Sequence, residues 1–299
     1  MIRRPPRSTQ SRSSAASDVY KRQPYDIASS ISKGLLKNSV YALVNDEAYD
    51  LKRPILKDSK VELVTKDDER ALEVLRHSCS HLMASAILKL YPKALFGVGP
   101  AIEEGFYYDV DFGDHKVTEE DLEKIENKIK EIIKLDIPFI RKEVTKQEAL
   151  EYFKKNNNIY KIELIEVLEN QQITFSTLGD FVDLCRGPHL PSTKYVKAIK
   201  LLNIAGAYWR GDEHRQMLTR IYGISFPKQE LLDDYLNFLE EARKRDHRKL
   251  GKELELFMFS PKVGQGLPMW LPKGAIVRQE LEKFLKNVQL QYGYQHVIT

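Results

Sequence analysis

The segment from residue 67 to residue 91 carries the strongest helix signal in the chain and restricts the fold more than any other feature. Asp67, Asp68 and Glu69 supply negative charge at its predicted start, which favours a helix N-terminus. Pro92 lies just beyond its predicted end. Apolar residues recur on one face at helical spacing: Leu72, Leu75, Cys79, Leu82, Met83, Ala86 and Leu90. The sequence therefore predicts a long amphipathic helix whose apolar stripe faces a core.

Two histidines in this helix, His77 and His81, lie four residues apart. That spacing puts both imidazoles on the same face of a helix. At about 100° per residue, this face points roughly 160° away from the apolar stripe. The pair therefore faces either solvent or a cleft, and spacing alone favours a functional pair and an ordinary packed or surface pair equally.

A second motif, DLCRGPH at residues 183–189, places the thiol of Cys185 and the imidazole of His189 in a Gly-Pro turn. Taken alone, a structural loop with a buried cysteine is the simpler interpretation. Together with His77 and His81, however, the motif completes a set of four side chains of the types that bind metals. Two such pairs in one chain indicate a shared site more strongly than either pair does alone.

The bulk composition excludes several classes of protein. Hydrophobic residues make up 42% and charged residues 30%, which is typical of a globular chain and not of a disordered one. No apolar run approaches the roughly 18 residues that a membrane helix needs. Two cysteines cannot build a disulfide framework, so a cytoplasmic location and no membrane partner are expected.

Residues 1–23 form a leader that differs from the rest of the chain. They carry six basic residues and one acid, so the net charge of +4 falls to −1 without them. Any nucleic-acid binding must therefore use local patches. The leader has no apolar h-region and no amphipathic period, which excludes a secretory signal. It resembles translated sequencing adapter, and we expect a disordered artefact.

The remaining segments mix helical and strand patterns, which predicts the α+β class. Residues 24–66 predict a short helix broken at a glycine, a strand pair around an Asn-Asp turn and a further strand. A capping box at Thr118–Asp121 predicts a second amphipathic helix. Residues 137–225 look mixed, with strands around FVDL, KAIKLLNI and MLTRIYGISF. The charged segment 228–250 predicts a helix that serves as a solvated connector. Residues 275–292 predict another amphipathic helix.

These motifs occur in the order found in threonyl-tRNA synthetases. The segments that resemble the editing domain of that family are RHSCSHLMASAI, GVGPAIEEGFYYDVD, NIYKIEL, FVDLCRGPHLPST and KLLNIAGAYWRGDEHRQMLTRIYG. The resemblance covers residues 24–299. It implies a ubiquitin-like TGS domain at 24–66, an α+β editing domain at 67–227 and a linker helix at 228–250. Residues 251–299, with GLPMWLPKGAIVRQELEKF, resemble the start of a class II catalytic domain, truncated at Thr299.

The resemblance also implies a reaction. The family attaches threonine to tRNA(Thr), and its editing domain hydrolyses mischarged Ser-tRNA(Thr). Serine lacks one methyl group of threonine, a difference worth only about 1–3 kcal/mol in a binding site, so a second, hydrolytic site is needed. By matched position, the catalytic residues are His77, His81, Lys161, Cys185 and His189. Tyr108 and Asp183 match substrate-binding residues. A histidine base and a Lys161 cation are the expected hydrolytic groups.

The cofactors and partners follow from the same resemblance. tRNA(Thr) is the expected partner, and the full-length family members are homodimers. ATP, Mg²⁺ and Zn²⁺ serve the catalytic domain, so this chain is expected to need no cofactor and its editing pocket no metal. Two alternatives stay open: a free-standing, metal-dependent hydrolase of the alanyl type, and a non-catalytic RNA-binding module. The linker helix argues against the first alternative, and the polar His-Cys-Lys set argues against the second.

Overall fold

The computed structural model describes residues 23–169, 172–264 and 266–297. Apart from Gln23, the predicted artefact at the N-terminus lies outside these residues. The chain divides into two compact units, one ending at Leu232 and the other beginning at Asp233. Within the described residues, no helix combines the length and the apolar character needed to cross a membrane.

The first unit opens with a small antiparallel sheet preceded by two short helices. The elements are α1 (Pro24–Ile31), α2 (Lys33–Asn38), β1 (Ser39–Val44), β2 (Glu47–Asp50) and β3 (Val61–Thr65), with strand order β2-β1-β3. The predicted Asn-Asp turn is confirmed, since Asn45 and Asp46 have φ values of 51° and 67°. The predicted break at the glycine is wrong. Ser32 is extended and its hydroxyl accepts from Leu35 N, which caps α2 and leaves Gly34 inside it.

The long helix α3 (Ala71–Leu90) is the centre of the first unit. It begins four residues later than predicted, because Arg70 N donates to Asp68 Oδ1 in a turn that precedes the helix. Its polar face is also buried, including Ser78 and His81. Beside it lie β4 (Leu95–Phe96), β5 (Ala101–Ile102), β6 (Gly105–Asp111) and α4 (Glu119–Lys134).

Helix α4 packs against α3 and completes the main core. The predicted capping box is confirmed, since Thr118 N donates to Asp121 Oδ2 at 3.0 Å. Fully buried side chains from both helices meet in the core: Leu82, Met83, Ile87, Ile125 and Ile129. Burying each one contributes about 1.5–3 kcal/mol of hydrophobic free energy. This core holds α3, and with it the two histidines, in a fixed position.

The next strands form another three-stranded sheet, in the order β7-β8-β9. Its elements are β7 (Phe139–Thr145), α5 (Lys146–Lys155), α6 (Ile159–Glu166), β8 (Gln172–Leu178) and β9 (Phe181–Leu184). Of these, the sequence predicts only β9. The small core between the sheet and α5–α6 includes Phe153, Ile165 and Phe175. It positions α6, whose Lys161 is buried.

The predicted strands after residue 197 are confirmed as β10 (Ala198–Tyr208) and β11 (Met217–Phe226). They extend the sheet beside α3 in the order β10-β11-β6-β4, with β5 pairing to β6. The predicted single connector helix is wrong. It forms α7 (Gln229–Lys244), which begins in the first unit, and α8 (His247–Glu253). Asp246 accepts from Arg248 N and caps α8, which ends the continuity between the two helices.

The second unit contains the rest of α7, α8, a two-stranded antiparallel sheet and one long helix. The sheet consists of β12 (Phe257–Phe259) and β13 (Pro268–Trp270). Helix α9 (Pro272–Gln291) matches the last helix predicted from the sequence, although it begins three residues earlier. Pro272 occupies its first turn, where a missing backbone N–H costs little.

Candidate functional site

The structure brings all seven predicted site residues together in the first unit. Helix α3 supplies His77 and His81, the loop after β9 supplies Cys185 and His189, and α6, β6 and β9 supply one residue each: Lys161, Tyr108 and Asp183. A cavity of about 290 Å³ is lined by five of the seven: His77, His81, Lys161, Asp183 and Cys185. Tyr108 and His189 lie behind this wall, fully or almost fully buried.

The three imidazoles and the thiol form a close cluster. Cys185 Sγ lies 3.3 Å from His77 Nε2 and 3.2 Å from His189 Nε2. The four nearest ligand-type atoms of His77, His81, Cys185 and His189 all lie within 4.8 Å of one another. The i, i+4 spacing on α3 therefore does face a cleft, and the Cys-x3-His loop closes over it.

Hydrogen bonds hold the loop that carries Cys185 and His189. His189 Nδ1 lies 3.2 Å from the hydroxyl of Ser78, which also accepts from Leu190 N at 2.9 Å. Gly187 N donates to Cys185 Sγ at 3.2 Å. Gly187 has φ +72°, a conformation that glycine adopts without strain. The ring orientation of His189 is thus fixed by Ser78, which lies between His77 and His81 on α3.

The protonation states in this cluster follow from burial. Burial raises the pKa of the Cys185 thiol to about 12, so the thiol keeps its proton at neutral pH. Burial lowers the pKa of His77, and it lowers those of His81 and His189 well below the usual value. Neighbouring imidazoles lower the last two further. The three rings are therefore neutral at pH 7, and one of them can accept a proton.

Behind the histidines, Asp183 is the centre of a buried charged network. Lys161 Nζ pairs with Asp183 Oδ1, and Tyr108 OH donates to Asp183 Oδ2. Lys161 Nζ also lies 3.2 Å from Tyr108 OH. Burial, with the Asp183 carboxylate as second cause, raises the pKa of Tyr108 well above its usual range. Both oxygens of the carboxylate are engaged inside the protein, which offsets the cost of burying these charges.

One polar atom in this region has no partner among the described residues. His81 Nε2 lies 3.5 Å from Asp183 Oδ2, but His81 Nδ1 is buried without a hydrogen bond. A buried polar atom left unpaired costs about 1–3 kcal/mol. Because His81 lines the cavity, a water molecule, a substrate group or a metal ion there could satisfy it.

Two family models match this chain. The TGS domain model matches residues 20–65, and the model described as "Threonyl and Alanyl tRNA synthetase second additional domain" matches residues 173–222. The second match contains β8 from Ile173 onward, β9 and the loop with Cys185 and His189. The threonine–tRNA ligase of Cytophaga hutchinsonii is 56% identical over 273 residues, which cover 91% of the chain and 42% of that relative. The chain is homologous to threonine–tRNA ligases.

Other threonine–tRNA ligases give the same result. Those of Porphyromonas gingivalis and a Geobacillus species are 54% and 51% identical to this chain. Their matches cover 92% and 91% of the chain and 42% of each relative. The chain thus spans about two fifths of the length of the curated relatives it matches. The resemblance to threonyl-tRNA synthetases and the α+β class with TGS and editing domains are confirmed. The boundaries at residues 66, 227 and 250 stay predictions.

The chemistry of the cluster in this threonine–tRNA ligase homologue also fits a metal ion. One thiol and three imidazoles are a zinc-type ligand set, and the orphaned His81 Nδ1 is compatible with it. Zinc–ligand distances of about 2.0–2.3 Å require ligand atoms roughly 3.3–3.8 Å apart in a tetrahedron, so the cluster would have to contract slightly. The prediction that the pocket works without a metal is therefore not tested by this geometry.

Sequence reasoning missed one residue that shapes the site in this homologue. Asp50, at the end of β2, accepts from His189 N at 2.8 Å through Oδ1. A side chain at position 187 would place its Cβ 3.0 Å from Asp50 Oδ2, so only glycine fits comfortably there. The TGS-like sheet therefore holds the loop of the site. No local pattern around Asp50 indicates this contact, because its partner lies 139 residues away.

Proposed function

We propose that this site hydrolyses the ester that joins serine to the 3′ end of tRNA(Thr), as the editing part of a threonine–tRNA ligase. The observation that carries the proposal is that a neutral imidazole, His77, and an ammonium held by an ion pair, Lys161, line one small cavity. Ester hydrolysis needs those two groups together, a base for water and a positive charge for the oxyanion.

In the proposed reaction, His77 accepts a proton from water, and the water oxygen forms a bond to the ester carbonyl carbon. The carbonyl oxygen becomes an oxyanion, which the Lys161 ammonium stabilises. The bond from carbon to the ribose oxygen then breaks, and the proton on His77 passes to that leaving oxygen. General base catalysis contributes about 10²–10⁴-fold. One oxyanion donor adds about 10²–10³-fold.

The remaining residues serve selectivity and orientation. Among the described residues that line the cavity, Asp183 is the sole carboxylate, and it is the proposed acceptor for the substrate ammonium beside Lys161. Tyr108 supports that carboxylate from behind. The protonated Cys185 and His81 form a wall that admits serine and meets the extra methyl of threonine, and His189 supports Cys185 from behind. Overpacking by one methyl costs about 1–3 kcal/mol.

The wider assignment extends beyond this chain. The synthetase homologues and the tRNA-related domain imply binding to tRNA. We infer that the complete protein attaches threonine to tRNA(Thr) in the cytoplasm with ATP and Mg²⁺, holds Zn²⁺ in its catalytic domain and forms a homodimer. The names of the relatives support the threonyl activity over a free-standing hydrolase of the alanyl type, and the polar cavity supports catalysis over passive RNA binding.

Deacylation of Ser-tRNA(Thr) and Thr-tRNA(Thr) by the full chain tests the proposal, before and after exhaustive chelation. The expected result is hydrolysis of the seryl ester at least about tenfold faster than the threonyl ester, since one methyl is worth about 1–3 kcal/mol. His77→Ala is expected to abolish hydrolysis. His115→Ala, a half-exposed histidine beside Asp121, is the matched control and is expected to leave it unchanged.

Two outcomes contradict this proposal in different ways. Equal rates on both esters would remove the selectivity for serine. Loss of activity on chelation, restored by added zinc together with about one metal ion per chain, would replace the metal-free reaction with a metal-dependent one that uses the same four side chains.

A further inference from the structure

A second cavity, of about 450 Å³, adjoins the proposed editing site. Four residues line both cavities: Leu164, Leu184, Cys185 and Arg186. The second cavity is also lined by Arg53 and Arg141, and its described lining includes three arginines and no carboxylate. A molecule that enters the editing site from this side therefore passes a strongly cationic wall.

The three arginines differ in how they are engaged. The Arg53 guanidinium stacks 3.8 Å from the centroid of the Tyr49 ring. Within the described residues, no carboxylate lies within ion-pair distance of Arg53 or Arg186. Arg141 makes more hydrogen bonds: its guanidinium donates to Glu143 Oε1 at 2.7 Å and to Thr174 Oγ1 at 3.2 Å. Its Nε, 3.8 Å from Asp50 Oδ2, is buried without a hydrogen bond.

The nearby carboxylates do not neutralise this wall. Asp50 and Glu143 are the acids beside these arginines, and neither lines the cavity. Asp50 also accepts the backbone N–H of His189. Among the residues that the structure describes, two carboxylates therefore lie beside three guanidinium groups, and the cavity side of the cluster presents surplus positive charge.

We propose that this arginine cavity binds the phosphodiester backbone next to the aminoacylated end of the tRNA. The proposal rests on the proposed function. The guanidinium group matches phosphate with paired N–H donors and is weakly hydrated, so it suits a partly buried phosphate site. A substrate whose ester lies between His77 and Lys161 must lead its ribose-phosphate chain out of the small cavity, and the shared wall at Cys185 and Arg186 provides that exit.

Arg53 gives this subsite a consequence for the whole chain. It follows β2 and lies within the segment matched by the TGS domain model. The TGS-like domain therefore contributes a substrate-binding residue to the editing reaction, in addition to the Asp50 contact that holds the loop.

The test compares two seryl esters that differ in phosphate content, Ser-tRNA(Thr) and 3′-O-seryl-adenosine, with the full chain and its Arg53→Gln variant. A charge-assisted hydrogen bond to phosphate is worth about 1.5–3 kcal/mol, which corresponds to a loss of roughly 10–100-fold in kcat/KM on the tRNA ester. The loss on seryl-adenosine is expected to be at least about tenfold smaller. The salt dependence of tRNA binding should also weaken, by about 0.7 in logarithmic slope for each lost contact.

Lys52→Gln is the matched control, because it removes the same charge from the neighbouring residue, which does not line the cavity. Arg53→Lys is expected to recover part of the binding. An equal loss on both esters, or an equal loss in Lys52→Gln, would overturn the subsite.

Direct binding separates this proposal from the editing reaction itself. Fluorescence anisotropy with an RNA trinucleotide that matches the tRNA 3′ end needs no hydrolysis. If the full chain hydrolyses neither ester, the editing proposal fails, whereas binding that is about tenfold weaker in Arg53→Gln still supports a phosphate site. Binding unchanged by Arg53→Gln and by Arg186→Gln would overturn it.

Discussion

Two clusters in the first unit contain the same four residue types around an equally buried aspartate, but the histidine and the lysine are buried in one cluster and exposed in the other. In one, Asp183 contacts His81, Lys161 and Tyr108; in the other, Asp121 contacts His115, Lys124 and Tyr91. The side chains of Lys161 and Asp183 are each 4% exposed, whereas Lys124 is 61% exposed. By the types of residue in contact with the aspartate alone, the two clusters are the same.

The difference lies in what each cluster does with its charges. Asp121 is the N3 residue of a capping box, so its carboxylate accepts the backbone N–H of Thr118. The ammonium of its partner Lys124 is exposed to solvent. Asp183 holds its cation at the wall of a cavity, beside three neutral imidazoles. The first arrangement stabilises a helix end. The second keeps a positive charge out of water where a reaction can use it.

The largest difference is expected when each lysine is replaced by methionine. Lys161→Met leaves Asp183 buried without its cation, which is expected to cost about 3–5 kcal/mol of unfolding free energy. Lys124→Met breaks a solvent-exposed pair and is expected to cost less than about 1 kcal/mol. Urea denaturation of both variants measures the comparison.

The double variant Lys161→Met with Asp183→Asn serves as the control for a general packing defect. Removing both charges is expected to recover most of the stability while hydrolysis stays abolished, because the oxyanion then has no cation. Similar costs for the two single variants would show that burial does not distinguish the clusters.

The pH dependence of stability is expected to separate the clusters next. The pKa values of His77, His81 and His189 are lowered in the folded state, so below about pH 6.5 the unfolded chain binds more protons. The contribution of these neutral histidines to the free energy of unfolding is therefore fully present above that pH and is lost as the pH falls further, towards their lowered pKa values. Each histidine contributes a slope of up to about 1.4 kcal/mol per pH unit. Urea midpoints between pH 8 and pH 5 for the full chain and His189→Gln measure it, and identical slopes would contradict the assignment.

The same comparison explains what the sequence could predict. The capping box at Thr118 and Asp121 is a local pattern, and so is the i, i+4 spacing of His77 and His81; both are confirmed. Short-range signals also misplaced boundaries, since Asp68 closes a turn before α3 and Asp246 caps α8. A side-chain hydrogen bond to the backbone decided each case, and propensity alone does not specify it.

The candidate site depends on contacts that no local pattern encodes. Only the resemblance indicated Lys161, whose helix α6 was not predicted, and nothing indicated Asp50. Helix α6 is positioned by its contacts with α5 and β4 and by the small core that it shares with β7 and β8, and the sequence predicts neither α5 nor these two strands. Long-range packing therefore determines the positions of Lys161 and Asp50, which short sequence motifs do not indicate.

The smallest effect is expected at the capping cluster itself, from Asp121→Asn. Burial opposes ionisation of Asp121, but the Thr118 backbone N–H and Lys124 together hold the pKa of its carboxyl well below the usual range. Such a group stabilises the fold above its unfolded pKa, near 3.9, and loses that contribution as the pH falls through its folded value. The amide keeps an acceptor for Thr118 N and loses the charge. The expected cost at pH 7 is therefore about 1 kcal/mol of unfolding free energy, in the range of a lost cap.

Urea denaturation of Asp121→Asn at pH 7 and pH 3 measures this cost, and the difference from the unmodified chain is expected to be smaller at pH 3. Deacylation should not change, since Asp121 does not line the cavity; a loss of hydrolysis at unchanged stability would show that the two clusters are coupled through α3 and α4.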